Sequence, residues 1–160
     1  MEIERKWLLN NQPNFPEIEE IIIIEQGYIA IEDGEIRIRK MTSKKLGVKY
    51  FITIKSEGSI ARQEWEQEIP QWTYELLMET IRQKIISKAL FKIPLNNLYL
   101  EFHAYLRSLD GLFIMECEFP NLEEAEAFEI PNWIIDFIDK EVTDDPRYKN
   151  KNLAINGLPK

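Results

Sequence analysis

The stretch Glu2-Ile3-Glu4-Arg5-Lys6-Trp7-Leu8-Leu9 alternates charged and apolar side chains near the start of the chain. Residues two apart on a β-strand share a face, so Glu2, Glu4 and Lys6 lie opposite Ile3 and Trp7. The same alternation returns on several later segments. It predicts a sheet with one apolar face and one face that carries paired acids and bases.

Most of the remaining chain has the pattern of strands that end at turn formers such as Asp33-Gly34. The predicted strands are Glu2 to Leu9, about Ile21 to Ile31, Glu35 to Lys40, Lys49 to Lys55, Arg62 to Ile69, about Ala89 to Ile93, Leu98 to Leu106 and Leu112 to Glu118. Apolar residues at helical spacing predict helices over Thr73 to about Ser87, Leu122 to Phe128 and Trp133 to Asp139. This order indicates one α+β domain over residues 1–160, with an antiparallel sheet that closes into a barrel.

Composition restricts the class of partner. The 160 residues carry a formal net charge of -8, which excludes unspecific binding to nucleic acid or to an anionic membrane. The only cysteine is Cys117, so no intrachain disulfide forms. Residues 1–8 lack the apolar segment of a signal peptide, and the longest apolar run, Ile21 to Ile24, is too short to span a bilayer. These features predict a cytoplasmic protein.

Charged residues also share strand faces elsewhere in the chain. The rows are Arg37 with Arg39, Thr53 with Lys55, Arg62 with Glu64, Glu66 and Glu68, and Glu116 with Glu118. For any single strand, a solvated face is the ordinary explanation. If the faces converge inside a barrel, each charge needs a partner, an ion or a ligand. Such an interior suits a polyphosphate, whose oxygens bind Lys and Arg, together with divalent cations held by carboxylates.

These rows occur in an order that resembles the CYTH superfamily, also called the triphosphate tunnel metalloenzymes. The segment Glu2-Ile3-Glu4-Arg5-Lys6 is similar to its E-x-E-x-K motif. The later matching segments are Gln26-Gly27-Tyr28, Arg37-Ile38-Arg39, Thr53-Ile54-Lys55, Arg62-x-Glu64-x-Glu66, Glu116-x-Glu118 and Glu141-Val142-Thr143, followed by Asp145 and Arg147-Tyr148. Among the members, the chain is most similar to short bacterial inorganic triphosphatases.

The resemblance implies a closed eight-stranded antiparallel barrel with peripheral helices and a charged tunnel. It implies phosphate binding by Lys6, Arg37, Arg39, Lys55, Arg62 and Lys88. It implies a metal site for Mg²⁺ or Mn²⁺ formed by Glu2, Glu4, Glu64, Glu66, Glu116, Glu118 and Glu141. It also implies that Lys6 and Tyr28 assist the attacking water.

The second half of the chain departs from the family pattern. Leu90 stands where an arginine of a K-x-R pair is expected, and Lys92 cannot replace its bidentate geometry. The segment Leu100 to Ala104 lacks the aspartate and the glycine of the D-x-F-x-G element. His103, the only histidine, has no cysteine or second histidine near it, so we expect a surface or packing role and no zinc site.

The expected function is metal-dependent hydrolysis of inorganic triphosphate or of a triphosphate ester. Two alternatives stay open. One is a class IV adenylate cyclase, which would form cyclic AMP in the same tunnel. The other is a module that binds polyphosphate or a nucleoside triphosphate with little turnover, which the substitution at Leu90 favours. The expected partner is a small triphosphate, without nucleic acid or membrane, and a homodimer is possible.

Overall fold

Ten strands and four short α-helices make up the protein in a computed structural model that describes all 160 residues. The strands are β1 (Glu2–Leu9), β2 (Glu20–Ala30), β3 (Glu35–Ser43), β4 (Gly47–Lys55), β5 (Ala61–Arg62), β6 (Glu64–Ile69), β7 (Ile86–Leu95), β8 (Leu98–Tyr105), β9 (Phe113–Glu118) and β10 (Ile138–Glu141). The helices are α1 (Gln71–Met78), α2 (Leu122–Ala127), α3 (Asn132–Ile135) and α4 (Asn150–Asn156).

The strands form one antiparallel sheet in the order β10-β1-β9-β8-β7-β2-β3-β4-β6. The short strand β5 pairs with the start of β1, where Arg62 lies opposite Glu2. Only Gln63 separates β5 from β6, so this pairing brings the two ends of the sheet together into a nearly closed barrel. The predicted antiparallel barrel is confirmed. The strand count differs, because the predicted strand Arg62 to Ile69 is interrupted at Gln63 and β10 is additional.

The main hydrophobic core lies outside the barrel wall. The outward side chains Ile3 and Trp7 of β1 belong to a buried cluster that also contains Ala125 of α2 and Ile134 of α3. Burial of this apolar area stabilises the fold by about 25 cal/mol per Å². The charged face of β1 is thereby turned inward and is not an ordinary solvated face, whereas Glu68 of β6 stays half exposed.

A second apolar cluster fills the barrel beneath α4. It joins Tyr28, Tyr105 and Ile114 of the barrel strands to Leu153 and Ala154 of the helix. The hydroxyl of Tyr105 donates a hydrogen bond to Asn150 Oδ1 at 2.6 Å, which fixes the start of α4 against the barrel. Helix α4 was not predicted from the sequence. None of the helices is long and apolar enough to cross a membrane.

The helix predicted from Thr73 to Ser87 is correct only as far as Met78. Ile81 and Ile85 have helical spacing, but their side chains pack over Gly27 of β2 instead of continuing the helix. A Cβ atom at Gly27 would lie 2.9 Å from Ile81 Cγ1 and 3.2 Å from Ile85 Cδ1. The missing side chain at Gly27 therefore makes room for the segment that leads into β7.

Late in the chain, the helix from Leu122 is confirmed and the helix from Trp133 to Asp139 is wrong in its second half. α2 begins after Asn121, whose side chain accepts a hydrogen bond from the amide of Glu124 at 2.8 Å. α3 ends at Ile135, and the following residues form β10, which pairs with Trp7 to Leu9 of β1. Strand pairing with β1 thus overrides the helical spacing there.

Candidate active site

Eighteen residues line a cavity inside the barrel, here termed the interior pocket, and only one of them is hydrophobic. They comprise the carboxylates Glu2, Glu4, Glu35, Glu64, Glu66, Glu101, Glu116 and Glu118, the cations Lys6, Arg37, Arg39, Lys55, Arg62, Lys88 and Lys149, and His103, Asn150 and Leu90. The structure therefore brings together every residue predicted for the site except Tyr28 and Glu141.

Two lysines on neighbouring parts of the wall each bridge two carboxylates. Lys55 Nζ lies 2.9 Å from Glu2 and 3.0 Å from Glu64. Lys6 Nζ lies 3.1 Å from Glu4 and 2.9 Å from Glu116. These are charge-assisted contacts between groups that are mostly buried, and they hold the four carboxylates in fixed positions.

Two arginines are paired in the same way. Arg62 donates to Glu35 at 2.8 Å and lies 3.4 Å from Glu4. Arg39 donates to Glu66 at 2.5 Å, and the same carboxylate oxygen accepts a hydrogen bond from the hydroxyl of Thr53 at 2.8 Å. Each of these cations already has a carboxylate partner without a ligand.

Three pocket cations form no salt bridge with a carboxylate. Lys149 is partly exposed and donates to the carbonyl of Gly58 at 2.6 Å, whereas Arg37 and Lys88 are buried. Arg37 Nε has no hydrogen-bond partner at all. Burial lowers the pKa of Lys88 to about 7, because the attraction of Glu116 is opposed by repulsion from Arg37 and Arg39. The pocket thus contains an excess of unpaired positive charge at this position, as an anion-binding site requires.

Glu2 of β1 and Glu64 of β6 carry more negative charge than the single Lys55 ammonium between them can balance. Burial and a hydrogen bond with Glu64 raise the pKa of Glu2 to about 9. Although burial opposes it, the hydrogen bond with Glu2 and the Lys55 ammonium lower the pKa of Glu64 to about 2. The opposite shifts reflect two adjacent carboxyl groups that do not ionise independently, and the cation in contact with Glu2 Oε2 is Lys55 Nζ at 2.9 Å. A divalent cation with oxygen ligands fits this pair, because it would add positive charge beside two neighbouring carboxylates.

On the neighbouring strands β8 and β9, Glu101, His103 and Glu116 form a further cluster. Their potential ligand atoms all lie within 4.8 Å of one another. Burial and the nearby Lys88 ammonium lower the pKa of His103 to about 4, so its imidazole is neutral near pH 7. Burial and repulsion by Glu116 raise the pKa of Glu101 to about 7. Of the expected surface or packing role of His103, the surface position is excluded, because the residue is 2% exposed and lines the pocket.

The structure does not bring Tyr28 into the pocket lining. Its hydroxyl is buried and accepts a hydrogen bond from Gln26 Nε2 at 2.9 Å, and no hydrogen bond joins it to Lys6. Burial and the nearby Glu35 carboxylate raise the pKa of Tyr28 well above its usual range. This environment disfavours the phenolate that would accept a proton from water.

Glu141 lies outside the barrel, away from the other predicted ligands. Its carboxylate accepts hydrogen bonds from Arg5 Nε at 2.9 Å and from Arg5 Nη2 at 2.8 Å. The hydroxyl of Thr143 donates a third bond at 2.8 Å. Both carboxylate oxygens are therefore occupied by a bidentate ion pair that links β10 to Arg5 of β1. The predicted metal role for Glu141 has no support in this position.

Several lining residues were not predicted from the sequence. They are Glu35, Glu101, His103, Lys149 and Asn150. Glu35 lies two residues before Arg37 on the same strand face, so the alternation contains a signal for it. Lys149 and Asn150 reach the pocket only because the chain folds back over the barrel at α4, and no local pattern indicates this.

Leu90 takes an apolar place in the barrel instead of contributing a cation. It is 5% exposed and forms a small buried cluster with Ile22 and Ile24 of the neighbouring strand. Lys92 does not substitute for an arginine, because its ammonium lies 4.2 Å from the centre of the Tyr99 ring and is not among the pocket residues. The family's expected cation is thus absent at Leu90, and the side chains that surround this position are apolar as well.

An antiparallel barrel with this charged interior defines the protein as a CYTH-type barrel, the architecture of the triphosphate tunnel metalloenzymes. No family model matches the sequence. The inorganic triphosphatase of Nitrosomonas europaea is 35% identical over 157 residues, covering 96% of this chain and 97% of that protein. The inorganic triphosphatase of Acetivibrio thermocellus is 32% identical over 158 residues, covering 97% of this chain and 94% of that protein. The chain belongs to the inorganic triphosphatase family.

Solved structures agree with this assignment. The crystal structure of an inorganic triphosphatase matches with a TM-score of 0.67 and 32% identity, covering 100% of this chain and 97% of that chain. A putative adenylyl cyclase from Hippeastrum, described as having a dominant triphosphatase activity, matches with a TM-score of 0.60 and 18% identity. That alignment covers 79% of this chain and 83% of the Hippeastrum chain, and at this identity it shows the fold alone.

Proposed function

We propose that this protein hydrolyses inorganic triphosphate to diphosphate and phosphate with the help of Mg²⁺ or Mn²⁺. The observation that carries the proposal is the interior pocket, where seven Lys and Arg side chains and eight carboxylates face one cavity with a single apolar residue. A small, densely charged substrate with bound cations matches both sets of charges. Membership of the inorganic triphosphatase family supports the same substrate class.

The cations of the pocket are proposed to bind the phosphate groups. Arg37 and Lys88 come first, since they are buried without a carboxylate partner and a triphosphate would supply the missing negative charge. Arg39, Lys55 and Arg62 line the same cavity and can share their donors between a carboxylate and a phosphate oxygen. Fixed donors of this kind orient the terminal phosphorus and stabilise the charge of the transition state.

The carboxylates are proposed to hold the metal ion. Glu2 and Glu64 form a carboxylate pair whose charge a cation would neutralise, and Glu4, Glu116 and Glu118 extend the set of oxygen ligands around them. When bound, the ion would neutralise charge on the phosphate oxygens and activate water. Lys6, which bridges Glu4 and Glu116, keeps these carboxylates in place for that role.

The reaction itself needs one proton transfer. A water oxygen forms a bond to the terminal phosphorus, the bond from that phosphorus to the diphosphate oxygen breaks, and the water proton passes to a pocket carboxylate. The diphosphate leaves with the bonding electron pair. Lys6 remains an ammonium throughout, because Glu116 and Glu4 outweigh its burial and raise its pKa above the usual range. Its contribution is therefore electrostatic, and Tyr28 is not required as the base.

The test is phosphate release from tripolyphosphate, ATP and thiamine triphosphate, each with Mg²⁺, with Mn²⁺ and with EDTA. We expect EDTA-sensitive release that is fastest from tripolyphosphate. Glu4→Gln should lower kcat at least a hundredfold, because it removes a buried ligand charge held by Lys6. Glu68→Gln is the matched control, since Glu68 is half exposed and lies outside the pocket lining. Equal activity of Glu4→Gln and wild type would refute the assignment.

The two alternative functions are separated in the same experiment. Formation of cyclic AMP in the ATP reaction would indicate a cyclase. Tight binding of tripolyphosphate without phosphate release would indicate a binding module, for which the apolar surroundings of Leu90 are the structural argument. Either result would replace the proposed hydrolysis.

A further inference from the structure

The cluster of Glu101, His103 and Glu116 contains a buried imidazole that makes no well-directed hydrogen bond, although Glu116 Oε2 lies 3.2 Å from its Nε2. His103 is 2% exposed, and neither Nδ1 nor Nε2 has a hydrogen-bond partner. A buried polar ring without partners costs free energy unless a ligand meets it. The ring faces the interior pocket, so the ligand would come from there.

Two carboxylate oxygens lie near His103 Nε2, and the ammonium groups of Lys88 and Lys6 lie in the same part of the pocket. Glu116 Oε2 lies 3.2 Å from Nε2, and Glu101 Oε2 lies 3.8 Å from it. The other oxygen of Glu116 is already bound to Lys6 Nζ at 2.9 Å, which leaves Oε2 free. A neutral imidazole nitrogen and two carboxylate oxygens converging on one point form a ligand set for a cation.

We propose that Glu101, His103 and Glu116 form a binding site for a divalent transition-metal ion such as Zn²⁺, Co²⁺ or Mn²⁺. Two ligands of one such ion lie about 3 to 4.3 Å apart, since each metal bond is about 2.0–2.2 Å long. The Nε2 to Oε2 distances of 3.2 and 3.8 Å fall in this range. Three protein ligands leave a position open for water or for a phosphate oxygen.

The imidazole distinguishes this site from the carboxylates of β1 and β6. Nitrogen ligands favour transition metals over Mg²⁺, which binds through oxygen. The inference therefore deepens the proposed function by naming the kind of ion, and it rests on that function only for the role of the ion in hydrolysis. Binding of the ion alone does not require a substrate.

The single histidine of the chain makes the test direct. In a ¹H–¹⁵N correlation spectrum of the ¹⁵N-labelled full-length protein, the imidazole signals can arise only from His103. After EDTA treatment and dialysis, Zn²⁺ is added to one equivalent and above. We expect the Nε2 resonance to shift to a new, saturating position, while Mg²⁺ at the same concentration leaves it unchanged. An Nε2 signal that does not move when calorimetry shows bound Zn²⁺ would overturn the proposal.

Variants test the other ligands by calorimetry with Zn²⁺ alone. Glu101→Gln and His103→Asn should each weaken Zn²⁺ binding at least tenfold, whereas Glu68→Gln, outside the pocket lining, should not. Equal Zn²⁺ affinity of His103→Asn and wild type would refute the site. Phosphate release with Mg²⁺ is measured on the wild type in parallel, so that failure of this site and failure of the proposed hydrolysis appear as separate results.

Discussion

Replacing Lys88 with methionine should make the protein more stable and its substrate binding weaker. Lys88 is buried among Arg37 and Arg39, and its pKa is lowered from 10.5 to about 7. At 1.36 kcal/mol per tenfold change in an ionisation constant, that shift corresponds to a cost of roughly 4 kcal/mol for the folded protein at pH 7. Methionine has a similar length and no charge, so part of this cost should disappear.

We expect the free energy of unfolding of Lys88→Met to rise by about 1–3 kcal/mol without ligand. For a chain of this size, this raises Tm by about 3–10 °C. The KM for tripolyphosphate should rise ten- to a hundredfold, because one charge-assisted contact of about 1.5–3 kcal/mol is lost. Calorimetry and phosphate release measure the two effects, with the half-exposed Lys49→Met as the control.

The pH dependence of the stability difference between Lys88→Met and wild type tests the same reasoning separately. Folded Lys88 loses its proton near pH 7, whereas the unfolded chain keeps it to about pH 10.5. Between these values the unfolded state binds more protons, so the stability of the wild type gains with rising pH relative to the variant. The difference in Tm should therefore shrink from pH 7 to pH 10. A variant that is less stable than wild type at pH 7, or a difference that grows with pH, would refute the reasoning.

Three further outcomes are expected. Gly27→Val should lower the free energy of unfolding by about 1–3 kcal/mol in urea denaturation, because the new side chain would overlap Ile81, whose Cγ1 lies 2.9 Å from a Cβ at that position. Leu90→Arg should lower the free energy of unfolding by about 2–4 kcal/mol, since it places a charge beside Ile24; unchanged stability by the same measurement would show that the charge is accommodated. Mg²⁺ or Mn²⁺ should raise Tm in scanning calorimetry by neutralising the adjacent Glu2 and Glu64 carboxylates, and identical Tm values with the ion and with EDTA would contradict this.

Much of the fold follows from the alternation of charged and apolar residues along the strands. The segments where this pattern predicts the wrong element are those where tertiary contacts override the local preference for a helix. Ile81 and Ile85 have the spacing of a helix, but the space above Gly27 draws them onto the sheet. The segment after Ile135 has helical spacing as well, yet its backbone pairs with the exposed edge of β1 as β10. Both causes lie far away along the chain, where a local pattern cannot indicate them.

For the site, the alternation identifies side chains that share a face, but it does not say which faces meet. The short pairing of Arg62 with Glu2 brings the ends of the sheet together, and two residues of pairing are invisible in the sequence. Glu101 and His103 alternate with the buried Leu100 and Phe102, so their inward direction follows from the strand pattern. A single histidine without cysteine nearby gave no chemical reason to assign it to the site. The placement of Glu116 on the adjacent strand supplies that reason.

A barrel whose packed core lies on its outer side separates what maintains the fold from what performs chemistry. Ile3 and Trp7 hold the wall through contacts with α2 and α3, while Glu2, Glu4 and Lys6 on the same strand contribute to the pocket. Apolar clusters beneath α4 and around Leu90 also occupy the inner face. A substitution in the charged part of that face removes none of this packing, so an evolving sequence can try new arrangements of acids and bases without losing the architecture. The replacement of an expected arginine by Leu90 is one such rearrangement already present in this chain. A fold organised in this way is suited to acquiring new phosphate chemistries by changing inward-facing residues alone.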